Sequence, residues 1–272
     1  MFSRGKRFLT RRVVFITGTS GGIGWAAALA FARAGYDVCG LARRVERLEA
    51  LGAEISKLPS PHGDFLAAVG DVRRADDVAA AVERTLARFG RLDVLVANAG
   101  IGQHGALVDA EWEHLETVLR TNIDGALHSL RACVPAMRQN GGGQILLISS
   151  VVAGLHTPYT AVYAASKAFV SSLAGSLRLE LEADNISVTD VLVGRTATEF
   201  NQNRLGSSQE VHGRLPTKTA GDVAAAIVKA AEREPRHVIL SLFDRLVLAG
   251  GVLAPGVMAR LARRQYEPRS SD

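Results

Sequence analysis

Cysteine is scarce in this sequence of 272 residues, which has only Cys39 and Cys133. Both lie in apolar surroundings and no Cys-x-x-Cys pair is present, so we expect neither a disulfide nor a zinc site, and nothing else suggests a metal. This cysteine usage fits a reducing, cytoplasmic setting. No uninterrupted apolar run approaches the roughly 20 residues that span a bilayer. Residues 1–12 lack the apolar core of about 7 to 15 residues that a secretory signal needs.

Aromatic residues are also few, at 6%, and this bears on the net charge of +5. Such a charge can indicate a nucleic-acid partner or an anionic cofactor. No aromatic side chains are interleaved with the basic ones to stack on bases, so we expect no nucleic-acid binding. The basic residues concentrate at the two ends of the chain: Arg4, Lys6, Arg7, Arg11 and Arg12, then Arg260, Arg263, Arg264 and Arg269. Solvated terminal charge is the simpler interpretation.

What the chain does contain is a regular alternation of short apolar runs and helical stretches. The predicted strands are residues 13–17, 38–42, 65–69, 92–97, 145–148, 186–193 and 237–240. The predicted helices are residues 25–34, 44–57, 75–89, 111–139 with a kink at Pro135, about 163–183, and 222–232. This order predicts an α/β fold, a single Rossmann-type doubly wound domain with a seven-stranded, mostly parallel sheet flanked by helices. We assign it residues 12–241, between a basic extension (1–11) and a C-terminal extension (242–272).

A glycine-rich turn, residues 18–24, follows the first predicted strand and leads into a helix. This context is the one that a dinucleotide site requires, because glycines let the backbone approach a pyrophosphate and a helix N-terminus favours its charge. The spacing of Gly18, Gly22 and Gly24 differs from the common G-x-G-x-x-G, and no Lys-Ser/Thr follows as in a P-loop. A tight turn without a ligand is the alternative.

The second predicted strand ends in Ala42-Arg43-Arg44. NAD-binding units carry an acidic residue near this point, which binds the ribose hydroxyls. None is present, since Asp37 lies at the other end of the strand. Two guanidiniums suit a 2′-phosphate instead, so we predict NADP(H) over NAD(H). The alternative is that both arginines only begin a solvated helix.

The next two predicted strands end in polar and small residues. Asp71 and Val72 follow the third strand, and Asn98-Ala99-Gly100 follows the fourth. Asp71 could accept a hydrogen bond from an adenine amino group, and the small residues would let the cofactor cross the strand tip. Asp71 and Asn98 could equally be plain turn residues.

Tyr163 and Lys167 are four residues apart on a predicted helix and therefore share one face. The ammonium is expected to lower the phenol pKa from about 10 and so ease proton exchange. Ser150, at the carboxyl end of the fifth strand, could hydrogen-bond the same substrate oxygen. These three groups suit proton transfer to an alcohol or carbonyl oxygen, although most Tyr-x-x-x-Lys pairs are surface neighbours.

Together these pieces resemble the short-chain dehydrogenase/reductase family over roughly residues 12–241. The family's T-G-x-x-x-G-x-G matches residues 17–24, its adenine-side Asp matches Asp71, and its N-A-G matches residues 98–100. Its catalytic Asn, Ser, Tyr and Lys fall on Asn122, Ser150, Tyr163 and Lys167. Ser150 precedes Tyr163 by thirteen residues, which is the family spacing.

The resemblance implies a role for each catalytic residue. Tyr163 would be the general acid in reduction and the base in oxidation, while Ser150 would hold the substrate oxygen. Lys167 would lower the Tyr163 pKa and bond the nicotinamide ribose, and Asn122 would hold a water that links Lys167 to solvent. The residues assigned to the cofactor are Gly18, Thr19, Ser20, Gly22, Ile23, Gly24, Arg43, Arg44, Asp71, Val72, Asn98, Ala99, Gly100, Tyr163, Lys167 and Thr198.

The family usually shows Pro-Gly and then a Thr after the sixth strand. Here Val193 replaces the Pro, while Gly194 and Thr198 remain. Residues 193–215 are polar and irregular, so we expect a lid over the cofactor that the missing Pro loosens.

The substrate pocket is predicted from residues 101–107, 151–159 and the lid around Phe200. His104 and His156 lie in these loops as expected wall residues. The mixture of Val, Leu and His in these segments favours a moderately apolar carbonyl or secondary alcohol as substrate.

The tail contains an apolar-leaning run, residues 246–258, broken by Gly250, Gly251 and Pro255. It is expected to be a subunit interface in a homodimer or homotetramer, or a pocket cover. Peripheral membrane contact is the alternative that its flanking arginines leave open.

The sequence thus predicts an NADP(H)-dependent oxidoreductase that interconverts a carbonyl and a secondary alcohol. Rival interpretations are a catalytically idle NADP(H)-binding regulatory or scaffold protein, a nucleic-acid binder driven by the basic termini, and an epimerase or dehydratase of the same fold.

Overall fold

The computed structural model describes residues 11–206 and 217–266 and contains one large parallel sheet. Its strands are β1 (Val13–Thr17), β2 (Asp37–Ala42), β3 (Phe65–Val69), β4 (Val94–Ala97), β5 (Gly143–Ser150), β6 (Ile186–Val193) and β7 (His237–Ile239). They lie in the order β7-β6-β5-β4-β1-β2-β3, and every neighbouring pair is parallel. The predicted seven-stranded, doubly wound Rossmann-type fold is confirmed.

Helices cover both faces of this sheet. They are α1 (Gly22–Arg33), α2 (Val45–Ile55), α3 (Ala75–Phe89), α4 (Trp112–Leu119), α5 (Gly125–Gln139), α6 (Ala161–Glu180), α7 (Ala220–Arg233), α8 (Leu242–Leu253) and α9 (Pro255–Tyr266). One core cluster packs α3, α5 and α6 against the sheet, and the other packs α1, α2 and α7 against the opposite face.

Strand β1 shows why the central strands are continuous apolar runs. Val13 and Phe15 belong to the α3/α5 cluster, whereas Val14 and Ile16 belong to the α1/α7 cluster. All four are fully buried because successive side chains point to opposite faces and both faces are covered.

The single long helix predicted for residues 111–139 is wrong in one respect. A wide π-helical turn, Arg120–Asp124, separates α4 from α5, and the helix continues through Pro135. The break lies at Asn122, whose side chain bonds the backbone of Ile101 and the hydroxyl of Ser166. Such turns within helices are frequent at functional sites.

The tail also differs from its prediction. Gly250 and Gly251 lie inside α8, and the helical run breaks only at Ala254. A Cβ on Gly251 would collide with the carbonyl oxygen of Gly154, so glycine here serves close packing rather than chain breaking.

The predicted lid is partly regular. Thr196–Ala197 pairs with Lys218–Thr219, and Leu205–Gly206 pairs with Gln103–His104, both in parallel. Residues 207–215 of this prediction lie outside the described residues. Within the described ranges, every helix is too short or too polar to cross a membrane.

Candidate active site

A cavity of about 1270 Å³ opens at the carboxyl ends of the strands. Strand order reverses between β1 and β4, and such a switch point is where doubly wound sheets bind ligands. All predicted catalytic and cofactor residues line this cavity except Thr19, Gly24 and Asn122.

Two of these exceptions, Thr19 and Gly24, are buried members of the glycine turn itself. Thr19 is fully buried, and a Cβ on Gly40 would lie 2.8 Å from its Oγ1. A Cβ on Gly24 would collide with the Gly18 carbonyl, so this glycine lets the helix pack against the turn.

The turn itself presents backbone to the cavity. Gly18 and Gly22 have positive φ values of 76° and 55°, which favour glycine. The N-cap residue of α1 is Gly21, which has no side chain to cap the helix, so within the described part of the chain the first amide groups and the positive dipole end are available to an anion. These features fit the diphosphate of a dinucleotide.

Asn98 holds strand tips together at the centre of the cavity. Its Nδ2 donates to the Thr17 carbonyl at 2.8 Å, and the backbone amides of Asn98 and Ala99 both donate to Thr17 Oγ1 at 3.0 Å. The predicted cofactor residues 98–100 are thereby fixed next to the glycine turn.

The predicted arginine pair divides between two places. Arg44 Nη2 donates to the carbonyl and the hydroxyl of Ser20, at 2.9 and 3.1 Å. Arg47, which the sequence analysis missed, donates to the same carbonyl at 2.9 Å. The sequence could have indicated Arg47 through its position, one helical turn after Arg44 at the start of α2. Arg43 lines the cavity and acts on Asp71.

Asp71 is engaged by a second missed residue, Arg73, through a hydrogen bond of 2.6 Å between Nη2 and Oδ2. Burial alone would raise the Asp71 pKa, but the hydrogen bonds and charge of Arg73, with the charge of Arg43, lower it below its ordinary value. A carboxylate can accept further hydrogen bonds, so Asp71 remains a candidate for the adenine amino group.

Ser150 and Tyr163 both line the cavity and are within hydrogen-bond reach of each other. The Ser150 hydroxyl donates to the Val193 carbonyl at 3.1 Å. Burial raises the pKa of Tyr163 to about 12, while a hydrogen bond with Ser150 and the charge of Arg204 act in the opposite direction. The expected lowering of this pKa by Lys167 is therefore wrong: desolvation is the largest effect and raises the pKa, and the Lys167 Nζ lies 6.0 Å from the ring centroid.

Lys167 is only 5% exposed and its Nζ donates to the Ile148 carbonyl at 2.9 Å. Burial lowers its pKa to about 8, and the charge of Asp190 works against this shift. Asp190 is itself buried and accepts a hydrogen bond from Ser149.

Asn122 lies behind this group, in the π-helical turn. Its Oδ1 accepts from the Ile101 amide at 2.8 Å, and its Nδ2 donates to the Ile101 carbonyl and Ser166 Oγ at 3.0 and 2.9 Å. A Cβ on Gly100 would lie 3.2 Å from Lys167 Nζ and 3.3 Å from Asn122 Oδ1. Glycine at 100 thus leaves space between the two groups.

The substrate side of the cavity includes Phe200, whose ring centroid is 5.7 Å from that of Tyr163. His156 lines the cavity as predicted, whereas His104 is buried next to Tyr159, with ring centroids 6.0 Å apart. Burial, with the charge of Arg204, lowers the His104 pKa.

The C-terminal helices complete the cavity wall. Phe243 and Val247 of α8 and Met258 of α9 line it. Asp244 is buried, accepts from Ser241 Oγ at 2.6 Å, and would lie 2.5 Å from a Cβ on Gly194. Glycine at position 194, directly after β6, therefore leaves room for the Asp244 side chain of α8.

Comparison with known proteins finds both sequence relatives and solved structures with a similar fold. The model of the short chain dehydrogenase family matches residues 12–208. A dehydrogenase/reductase SDR family protein 7-like from Anopheles gambiae is 30% identical over 98% of this chain and 87% of its own length. Sulfoacetaldehyde reductase 2 of Chromohalobacter salexigens is 37% identical over 83% of this chain and 90% of its own.

A similar solved structure is that of 3-ketoacyl-(acyl-carrier-protein) reductase from Brucella melitensis in complex with NADH. It is 30% identical, with a TM-score of 0.72 over 81% of this chain and 90% of its own. A short chain dehydrogenase from Mycobacterium paratuberculosis bound to NAD is 28% identical, with the same TM-score and coverage.

Proposed function

The chain belongs to the short-chain dehydrogenase/reductase family, whose members are oxidoreductases acting on CH–OH groups, and we propose that it interconverts a carbonyl and a secondary alcohol with NADP(H). The observation that carries the proposal is the meeting of Ser150, Tyr163 and Lys167 in the cavity that the glycine turn also lines. Residues 12–241 would form the catalytic domain.

NADP(H), when bound, would supply or accept the hydride at the substrate carbon. The residues of the chain would position the substrate and move the proton. Because burial raises the Tyr163 pKa to about 12, its hydroxyl is protonated at neutral pH and suits the general acid of a reduction. Ser150, which hydrogen-bonds Tyr163, would hold the same substrate oxygen. In the oxidation direction Tyr163 would accept the proton.

Lys167 and Asn122 would act behind this pair. Lys167 would face the nicotinamide ribose, with its Nζ oriented by the Ile148 carbonyl. Asn122 would keep the π-helical turn in place and hold the water that links Lys167 to solvent. Ile101 and Ser166 fix the side-chain orientation of Asn122.

Replacement of Tyr163 by Phe tests the role of the phenol directly. Tyr163→Phe should lower turnover by at least about a hundredfold, because it removes the proton donor, and should leave NADPH binding, measured as Kd, largely intact. Tyr36→Phe makes the same exchange at a buried tyrosine that does not line the cavity; it is the matched control and should keep both. A near wild-type rate in Tyr163→Phe would sink the mechanism.

The preference for NADP(H) is supported by the convergence of Arg44 and Arg47 on Ser20 and by the lack of a carboxylate at the end of β2. A charge-assisted pair with a 2′-phosphate is worth enough to favour NADPH by about tenfold or more. Measuring kcat/KM with NADPH and NADH at equal concentration decides the matter. A preference for NADH would refute the assignment.

The substrate would be a moderately apolar small molecule. Phe200, Phe243 and Met258 give the cavity apolar wall, and the Phe200 ring centroid lies 5.7 Å from that of Tyr163. Following NADPH absorbance across a panel of aliphatic, aromatic and polycyclic carbonyls would identify the class.

We further propose assembly as a homodimer or homotetramer in a reducing cytoplasm, with residues 242–272 acting as pocket cover and interface. The apolar side chains exposed on α8 and α9 support the interface. Cys39 and Cys133 are free and buried, and burial raises the pKa of both thiols, which fits a compartment that keeps them reduced. Cell fractionation with an activity readout tests the compartment.

A further inference from the structure

A short 3₁₀ turn, Glu199–Asn201, lies across the cavity after β6. Thr198 begins it and caps it, since its Oγ1 accepts from the Phe200 amide at 3.3 Å. A Cβ on Gly22 would lie 3.4 Å from Thr198 Cβ, so the turn packs directly on the glycine turn.

The carboxylate of Glu199 faces the arginines of the proposed 2′-phosphate site. Its Oε1 is 3.6 Å from Arg47 Nη2 and its Oε2 is 3.9 Å from Arg44 Nη2. A Cβ on Gly21 would lie 3.2 Å from Glu199 Oε2 and 3.4 Å from Arg44 Nη2. The Glu199 carboxylate therefore lies next to the glycine turn and faces the guanidinium groups of both Arg44 and Arg47.

The next residue of the same turn contacts the other end of the site. The Phe200 ring centroid is 5.7 Å from that of Tyr163, and a Cβ on Gly102 would lie 3.0 Å from Phe200 Cε1. Glu199 and Phe200 are adjacent in the chain, and they contact the Arg44/Arg47 pair and the Tyr163 ring respectively.

We propose that Glu199 is the intramolecular competitor of the cofactor 2′-phosphate for Arg44 and Arg47, and that its displacement releases the turn that holds Phe200 against Tyr163. The inference rests on the proposed use of NADP(H). A phosphate carries more negative charge than a carboxylate and forms stronger, bidentate pairs with guanidinium groups, so it replaces Glu199. The displacement is easy because both ion pairs are about half exposed and hence weak.

The test measures binding rather than turnover. Wild type and Glu199→Gln are titrated calorimetrically with 2′,5′-ADP, which has the 2′-phosphate, and with 5′-ADP, which lacks it. Glu199→Gln should bind 2′,5′-ADP about three- to tenfold more tightly and 5′-ADP as wild type does. Glu49→Gln removes an exposed carboxylate from α2, the helix of Arg47, and is the matched control; it should change neither affinity.

Hydrogen exchange of residues 198–203 tests the release of the turn. Exchange there should be faster in Glu199→Gln than in wild type or Glu49→Gln, because the turn has lost its ion pairs.

Three outcomes would overturn the inference. The first is that Glu199→Gln binds 2′,5′-ADP as wild type does. The second is that hydrogen exchange of residues 198–203 is the same in Glu199→Gln as in wild type. The third is that Glu199→Gln binds 5′-ADP more weakly than wild type, which would mean that Glu199 holds the ribose hydroxyls. Failure of the proposed NADP(H) preference looks different: wild type itself would then bind 2′,5′-ADP no better than 5′-ADP.

Discussion

Burial, rather than mutual attraction, sets the chemistry of Tyr163 and Lys167. Desolvation disfavours the charged form of each group, so it raises the pKa of the phenol to about 12 and lowers that of the ammonium to about 8. The two values move in opposite directions. At neutral pH the pair is therefore a neutral proton donor next to a cation that is close to its own titration point, which suits reduction.

The Lys167 shift has a consequence for stability. Its pKa is about 8 when folded and about 10.4 when unfolded. Between these values the unfolded chain binds more protons, so the contribution of Lys167 to the free energy of unfolding rises with pH. We predict that the free energy of unfolding of wild type, minus that of Lys167→Met, increases by about 2 kcal/mol from pH 8 to pH 10.

Urea denaturation of both proteins at pH 8, 9 and 10 measures this difference. Other titrating groups, including the buried thiols of Cys39 and Cys133, are common to both proteins and cancel in the subtraction. Parallel pH profiles for wild type and Lys167→Met would contradict the lowered pKa.

The residues that the sequence analysis identified are those whose signal is local. Ser150, Tyr163 and Lys167 form a spacing pattern on adjacent elements, and the structure brings them into one cavity with the glycine turn. Glu199 and Arg204 carry no such signal, because only the folded chain brings the segment after β6 to Arg44, Arg47 and Tyr163.

At the scale of elements, prediction succeeded best where packing leaves a regular pattern in the sequence. Strand 13–17 is an uninterrupted apolar run buried on both faces, and helix 75–89 is strongly amphipathic; both have the predicted bounds. Strands 65–69 and 186–193 also have the predicted bounds, although Val69 is half exposed and the second strand includes Thr189 and Asp190. The π-helical turn at Asn122 was missed because its cause is a long-range contact with Ile101 and Ser166.

Helix α8 depends on glycine for a different long-range reason. A Cβ on Gly251 would collide with the Gly154 carbonyl and lie 2.9 Å from Leu155 Cδ2, in the loop that follows Ser150. Gly251→Val should therefore lower the free energy of unfolding by about 1–3 kcal/mol. It should also raise KM for the proposed carbonyl substrate, because α8 carries cavity-lining Phe243 and Val247.

Gly256→Ala is the control for Gly251→Val. It lies in α9, where no atom of the described residues is within 4 Å of the added Cβ, so it should be neutral or stabilising by up to about 1 kcal/mol. Urea denaturation and steady-state kinetics report the two effects. If Gly251→Val unfolds like Gly256→Ala, the tail does not pack against the Ser150 loop in this way.

For the whole molecule, the two tail helices have one face in the cavity and another exposed. Met258 lines the cavity, whereas Val252 and Leu253 are 77% and 84% exposed and do not. Large exposed apolar patches mark surfaces that other molecules cover, and the proposed assembly would use these side chains in that way. Helices α8 and α9 thus contribute both to the wall of the cavity and to the exposed surface that the proposed assembly would use.

Two aspartates at this surface test the assembly. Val252→Asp/Leu253→Asp should reduce the mass measured by light scattering to that of the monomer, because charge would be buried at the interface. Val108→Asp places a charge at a site that is 91% exposed and remote from the tail helices in sequence, and it should keep the wild-type mass. Flotation with anionic liposomes is run in parallel. If wild type floats and the double substitution does not, while the mass is the same for both, the tail is a peripheral membrane contact and the interface is refuted.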